Sequence, residues 1–317
     1  MKTNKLLTIV IAVCGIILLA AVALGFLGIN TYNYDHAEEY TAGETDITGT
    51  VRNLDIDWTS GKVTIASHDA DTITLRETSR SAISEDFQLR WWLDGDTLRV
   101  KFAKSGYRHG GFFGLFSGQE KELILTLPAG LELNEVNIDT ASAGQEINDL
   151  RAEKLDVDSA SGRILVNAAQ IGNIDAYASS GNVNIHVEKA EKIEIDTASG
   201  AINVTAGQVG KIEVNSASGA VNAEINDLDE GDFHTASGSV TIRTNRLNAL
   251  DINTASGNIT ALLPTEPGFT TTLKSSSGSV NYSLDLQKSG NDYICGDGSA
   301  KATISSASGS IHLDPAK

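Results

Sequence analysis

Six histidines (His36, His68, His109, His186, His234, His312) and two cysteines (Cys14, Cys295) are the residues of this 317-residue chain best suited to metal binding or nucleophilic chemistry. The histidines are scattered, with no pair at helical ligand spacing and no flanking cysteine, so the known zinc patterns are missing. Serine is abundant, but no Gly-x-Ser-x-Gly elbow positions one as a nucleophile. The most regular titratable set is acidic. Asp57, Asp139, Asp158, Asp196, Asn215, His234 and Asn253 share one frame of a repeating pattern and, if stacked, form a line along an outer face. A calcium-binding repeat would need Gly-Gly-x-Gly-x-Asp loops, which are absent. A sugar-cleaving one would need a carboxylate pair projected into a walled groove. The expectation is therefore a solvated acidic stripe and no enzyme: no catalytic residues, no metal and no cofactor.

A second set could make contacts rather than bonds. Gly106 to Gly118 is a glycine-aromatic loop in which Phe112, Phe113, Leu115 and Phe116 stand near Lys104 and Arg108. The surrounding segment adds Arg90, Arg99 and Lys101 against only Asp94 and Asp96, so it is locally basic on a chain of net charge -17 and pI about 4.7. Apolar side chains among cations suit an anionic lipid surface or an acidic envelope polymer. The competing reading is that these aromatics fold inward and cover the first coil of the fold. The overall acidity argues against nucleic acid as a partner.

What must position these groups is a repeat. The glycines Gly162, Gly181, Gly200, Gly219, Gly238 and Gly257 stand 19 residues apart, with Ala143 one step earlier and looser copies at Gly61, Gly278 and Gly309. Apolar residues recur five positions before each glycine (Val157, Ile195, Val214, Phe233, Ile252) and two and four after it (Ile164 and Val166, Val183 and Ile185, Val240 and Ile242). Spacing of two places them on one face of an extended chain. A unit this short buries that face only by stacking on its neighbour, which predicts an all-β, single-stack β-solenoid of about 19-residue coils. The Thr/Ser-Ala-Ser-Gly segment reads as a tight corner, with glycine supplying unusual backbone angles and hydroxyls satisfying turn amides. All four prolines fall outside the regular block, as expected where every amide donates to a ladder.

Ahead of the repeat, residues 6–29 form an uncharged apolar run preceded by Lys2 and Lys5, long enough for one transmembrane α-helix. The expected order is a cytoplasmic N-terminus (1–5), a single-pass anchor (6–29), a tether (30–45) and an extracellular solenoid (46–317) with an insertion at about 80–128. Tyr32 and Tyr34 would then lie at the outer membrane interface. Asp94-Gly95 marks a hairpin within the insertion.

The Ser-Gly-x-Ile/Val-x-Ile/Val repeats, the turn Leu127-Pro128-Ala129-Gly130 and the closing Gly296-Asp-Gly298-Ser-Ala-Lys-Ala-Thr-Ile304-Ser-Ser-Ala-Ser-Gly309-Ser-Ile311 resemble the bacterial putative adhesin family of β-strand-repeat proteins, domain of unknown function 4097. The resemblance spans nearly everything after the apolar run. It implies a cell-envelope module without catalytic residues. The leading expectation is a membrane-anchored, cell-surface adhesin or envelope-interaction module that touches an envelope polymer, an anionic lipid surface or another membrane protein. The alternatives are a regulatory partner of an envelope-stress membrane system and, further off, a polysaccharide-active β-helix enzyme.

Overall fold

Each 19-residue unit folds as one bent strand and one corner. A computed structural model describes residues 31–108 and 120–316. Five strands of 15 residues, Ile164–Ala178, Val183–Thr197, Ile202–Ser216, Val221–Thr235 and Val240–Thr254, follow one another through short corners. Every strand pairs in parallel with the next: Ile164 stands beside Val183, Val183 beside Ile202, Ile202 beside Val221 and Val221 beside Val240. The inward alternation slips where two exposed residues stand together, at Ala169-Gln170, Glu188-Lys189, Gly207-Gln208 and Asn245-Arg246. The alternation slips again three residues later, at Gly172-Asn173, Glu191-Lys192, Gly210-Lys211 and Asn248-Ala249, so each strand has a run after the glycine and a run before the next one, joined through a short middle segment at Ile171, Ala190, Val209 and Leu247. The two runs stack as a sheet after the glycines and a sheet before them.

The apolar spacing accounts for the core. Ile174, Ile193 and Ile212 form one buried column, and Val157, Ala176, Ile195, Val214, Phe233 and Ile252 another. Burying each of the larger aliphatic side chains contributes about 1.5–3 kcal/mol. Phe233 fits because Gly231 precedes it: a Cβ at Gly231 would lie within 3.2 Å of Leu228, Phe233 and Leu250.

The corners carry out the expected hydroxyl role. The Gly162 N–H donates to Ser159 Oγ at 2.8 Å, and Gly219 to Ser216 and Gly257 to Thr254 at 2.9 Å. The reason for glycine differs from expectation. Gly162, Gly181, Gly200, Gly219, Gly238, Gly257 and Gly309 do not have left-handed backbones. Instead, a Cβ built on Gly200 would overlap the carbonyl oxygen of Gly181, and the same overlap recurs up the column. Glycine is required by the closeness of the coils.

The ends do not follow chain order. At the first end, the strand Asn53–Trp58 lies against Glu132–Thr140, and Gly61–His68 against Gly144–Asn148, so the coil of Gly61 stacks directly on that of Ala143. The intervening residues close both sheets with antiparallel strands. Thr97–Lys101 runs parallel beside Asn53–Trp58 and then meets Arg90–Asp94 across the hairpin at Gly95, whose φ is 64°. Lys121–Pro128 runs parallel beside Gly61–His68 and then meets Ile73–Ser79. At the other end, Ala300–Ser306 lies between Val240–Thr254 and Gly268–Ser275, while Ile311–Pro315 lies between Ile259–Leu263 and Val280–Tyr282. The coil of Gly309 is thus inserted between those of Gly257 and Gly278.

The expected fold class, one transmembrane helix leading a single-stack solenoid of about 19-residue coils, is corrected. The stack is permuted at its far end, because the last segment finds two open ladders rather than one. Among the described residues, no helix is long and apolar enough to cross a membrane, and the helical content is a three-residue turn, Glu85–Phe87. The expected span 6–29 lies outside the described residues. Tyr32 and Tyr34, expected at an outer membrane interface, make contacts with the first coil and its cap. The Tyr32 hydroxyl donates to Asp57 O and accepts from the Phe102 N–H, and Tyr34 packs edge-on against Tyr40, which packs on Trp92.

Removing one whole unit, Gly181 through Ser199, rejoins strands already in register and should preserve a single cooperative melting transition. Removing about half a unit exchanges buried and exposed faces and should abolish it. Circular dichroism melting of the two deletions checks this, and equal tolerance would rule out the stacked arrangement.

Candidate contact faces

The insertion expected to carry the contact loop pairs its cations with acidic residues of the first coil and of the insertion itself. Phe112, Phe113, Leu115 and Phe116 lie outside the described residues, as does His109. Of Arg108, the backbone pairs with Thr31. Lys104 is exposed and bonded to Asp86 at 2.9 Å. Arg99 pairs with Asp55 and with Asp94, the latter at 3.2 Å, and Lys101 stands 3.6 Å from Asp55 and 3.8 Å from Asp57. Arg90 is buried and donates to the Glu85 carbonyl. The local positive charge therefore neutralises the first rungs of the acidic columns.

Beneath the insertion lies a buried site that the sequence analysis did not single out. Lys121 has a fully buried side chain, paired at 2.7 Å with Glu77, which is itself 5% exposed. Its ammonium also donates to the Phe87 carbonyl at 2.5 Å and faces the rings of Trp58, Phe87 and Phe102 at 4.8, 4.6 and 4.7 Å. Glu77 accepts from the Leu89 N–H at 3.0 Å, and Trp58 Nε1 donates to the Lys121 carbonyl at 3.1 Å. Burial pulls the lysine down to about 8, against the opposing pull of Glu77. The signal was present in the phase: Lys121 alternates with Leu123 and Leu125, and Glu77 with Leu75 and Ile73, all on the inward side. This is an ion pair that locks the cap to the first coil.

The sheet before the glycines gathers the acidic line. Asp57, Asp139, Asp158, Tyr177, Asp196, Asn215, His234 and Asn253 stand beside one another in register. Two residues earlier runs a second column, Asp55, Asn137, Asp156, Asp175, Glu194, Glu213, Asp232 and Asp251, also in register. Like charges at strand spacing repel. Lysines in the next column interleave: Lys154 bridges Asp156 at 2.7 Å and Asp175 at 3.5 Å, and Lys211 bridges Glu230 at 2.9 Å and Asp232 at 3.5 Å. Crowding and burial nevertheless raise the proton affinity of several of these carboxylates. Asp158 is pushed up to about 7 by lost hydration at the sheet surface and by the Asp139 carboxylate beside it. Asp175 is raised by burial and by Asp156, and Asp196 and Asp251 chiefly by burial. Among the described residues, no group of three or more His, Cys, Asp or Glu could hold a metal ion.

Comparison with known proteins bears on the fold. A family model described as Toastrack DUF4097 matches residues 51–314. Among solved structures, a putative adhesin from Parabacteroides distasonis shares 13% identity at a TM-score of 0.44, with 86% of this chain and 97% of that one covered. A putative adhesin from Bacteroides fragilis shares 14% identity at 0.32 over 86% and 97%. A putative cell adhesion protein from Clostridium sporogenes shares 12% identity at 0.19 over 87% and 100%. No curated protein matches the chain.

Two outcomes follow from the charges. Replacing Lys121 with Met leaves the Glu77 carboxylate buried without its partner and should cost about 3–5 kcal/mol of stability, measured by urea unfolding; Lys121→Met with Glu77→Leu should recover most of it. For the acidic face, the fold raises the proton affinity of Asp158, so its charged form opposes folding. Stability should rise as pH falls from about 7 toward the ordinary carboxylate value of about 4. Asp158→Asn should melt higher than the wild type at pH 8, with the gap narrowing steadily toward pH 4. A wild type that loses stability across that window would contradict the assignment.

Proposed function

We propose that this chain, which belongs to the Toastrack DUF4097 family, is a non-catalytic adhesion or envelope-contact module that works outside the cytoplasm. The observation that carries the reading is the in-register stack itself. The coils from Gly162 to Gly257 repeat with a parallel neighbour at every rung, so each outward position recurs along a straight line at about 4.8 Å. Such a surface offers many equivalent weak contacts to a partner that is itself repetitive or extended, and their effects multiply when engaged together. A rigid scaffold holds those contacts without ordering cost at binding.

The experiment is sedimentation of the full chain with isolated bacterial cell envelopes. Saturable retention is expected, and it should fall when residues Gly181 through Ser237 are excised as three whole units. Failure to bind, or release of soluble sugars from the envelopes by the protein, would overturn the non-catalytic contact reading.

A further inference from the structure

The sheet after the glycines presents a surface unlike the rest of the molecule. From the coil of Gly181 to that of Gly278, the first and third positions after the glycine are Asn182 and Asn184, Ala201 and Asn203, Ala220 and Asn222, Ser239 and Thr241, Asn258 and Thr260, Ser310 and His312, and Ser279 and Asn281. Strand pairing places them side by side in that spatial order. The corner serines Ser180, Ser199, Ser218, Ser237, Ser256, Ser308 and Ser277 are exposed and border the same face. In a chain with 21% charged residues and a net charge of -17, none of these outward positions carries Asp, Glu, Lys or Arg; charge returns only in the next outward column, at Glu224, Arg243 and Asp314. Seven coils make a strip about 29 Å long at strand spacing.

The polar groups on this strip are held in fixed directions. Asn222 donates from Nδ2 to Asn203 Oδ1, and Asn203 to Asn184 Oδ1, each at 3.0 Å. Asn182 and Asn258 accept at 2.9 Å from the N–H of Ala201 and of Ser310, and Ser279 donates to Ser310 at 3.1 Å. Each ladder amide spends one N–H on its neighbour and keeps the other for solvent or a ligand. The result is a row of amide and hydroxyl groups with methyl-sized gaps at Ala201 and Ala220, oriented alike before anything binds.

We propose that this neutral strip binds an uncharged polysaccharide lying along the stack. The inference rests on the contact-module reading and names its ligand. An anionic polymer or lipid surface would meet the repulsion of the whole acidic molecule, and a cationic partner would be drawn to the carboxylate columns of the other sheet. A neutral polyol avoids both. Its hydroxyls match directed N–H donors, amide oxygens and serine hydroxyls, and its repeat lets one contact recur from coil to coil.

The test is co-sedimentation of the full chain with microcrystalline cellulose, insoluble chitin and insoluble amylose, and with cross-linked polygalacturonate as the anionic solid. Retention by at least one uncharged glycan is expected. Asn203→Glu with Asn222→Glu should weaken it at least tenfold, whereas Asn215→Glu on the opposite sheet should leave it unchanged. Asn203→Thr with Asn222→Thr, which keeps strand propensity and neutrality but removes the amide row, should also weaken it while preserving the melting temperature. Retention by polygalacturonate alone, by none of the uncharged solids, or equally by wild type and both double variants would overturn the proposal. Envelope binding that persists in such a case would leave the contact-module reading standing without this ligand.

Discussion

Parallel hydrogen bonding between coils is the constraint on which the rest of the molecule depends, because it stacks each residue on its counterpart one unit away. The corner shows how strict this is. At the column of Gly162 to Gly257, the carbonyl of one corner occupies the place where a side chain on the next would begin. The only non-glycine at this column's start, Ala143, is fully buried and stands above Gly61, whose left-handed φ of 95° gives that first corner a different shape. Closeness at the corner fixes the rise per coil, and the rise fixes the spacing of every column on both faces.

Multiplying a residue along a column multiplies its virtues and its costs. Isoleucine and valine gain from it, since each copy covers the next. Carboxylates lose, and the protein dilutes them in three ways visible at named positions. Lys154 and Lys211 straddle neighbouring rungs. Tyr177, Asn215, His234 and Asn253 replace aspartates within the first column. Asp158 beside Asp139 has its pKa pushed up to about 7. The other sheet avoids the difficulty by carrying asparagine, whose amide both donates and accepts and therefore stacks on itself without opposition.

Much of this was legible. The 19-residue spacing and the apolar alternation gave the coil, the inward columns and the register of Asp57, Asp139 and Asp158, because stacking forces sequence period and spatial neighbour to coincide. Lys121 and Glu77 were legible in principle from their inward phase, but a charge at one end of a strand reads as an exposed terminus unless the partner strand is known. The insertion of the Gly309 coil between those of Gly257 and Gly278 left no local trace. The lengthened intervals around Gly278 announce a break in the array, yet the order in which its pieces re-enter is decided by which ladders are open, a property of the assembled sheet. The purpose of the corner glycine was misread for the same reason: the contact that demands it comes from the preceding coil.

Both ends meet the edge problem with antiparallel strands, on both sheets at the first end and on one at the far end, and the middle is left free to be regular. A parallel stack ends in unpaired N–H and C=O groups that would recruit another strand. At the first end Arg90–Asp94 and Ile73–Ser79 reverse direction against the last parallel strands, and Lys121 with Glu77 ties these layers through one buried pair. At the far end Asp292–Gly296 pairs antiparallel with Gly268–Ser275. The inserted strands Ala300–Ser306 and Ile311–Pro315 are held on both sides, so the Gly278 coil cannot peel away without first exposing them. With cohesion supplied by core, corners and caps, the outward positions of the central coils carry no structural duty beyond solubility and strand propensity. That two faces so placed should diverge, one crowded with carboxylates and the other uncharged over seven coils in the two columns nearest its corner, is difficult to attribute to stability, since either composition would cover the same core.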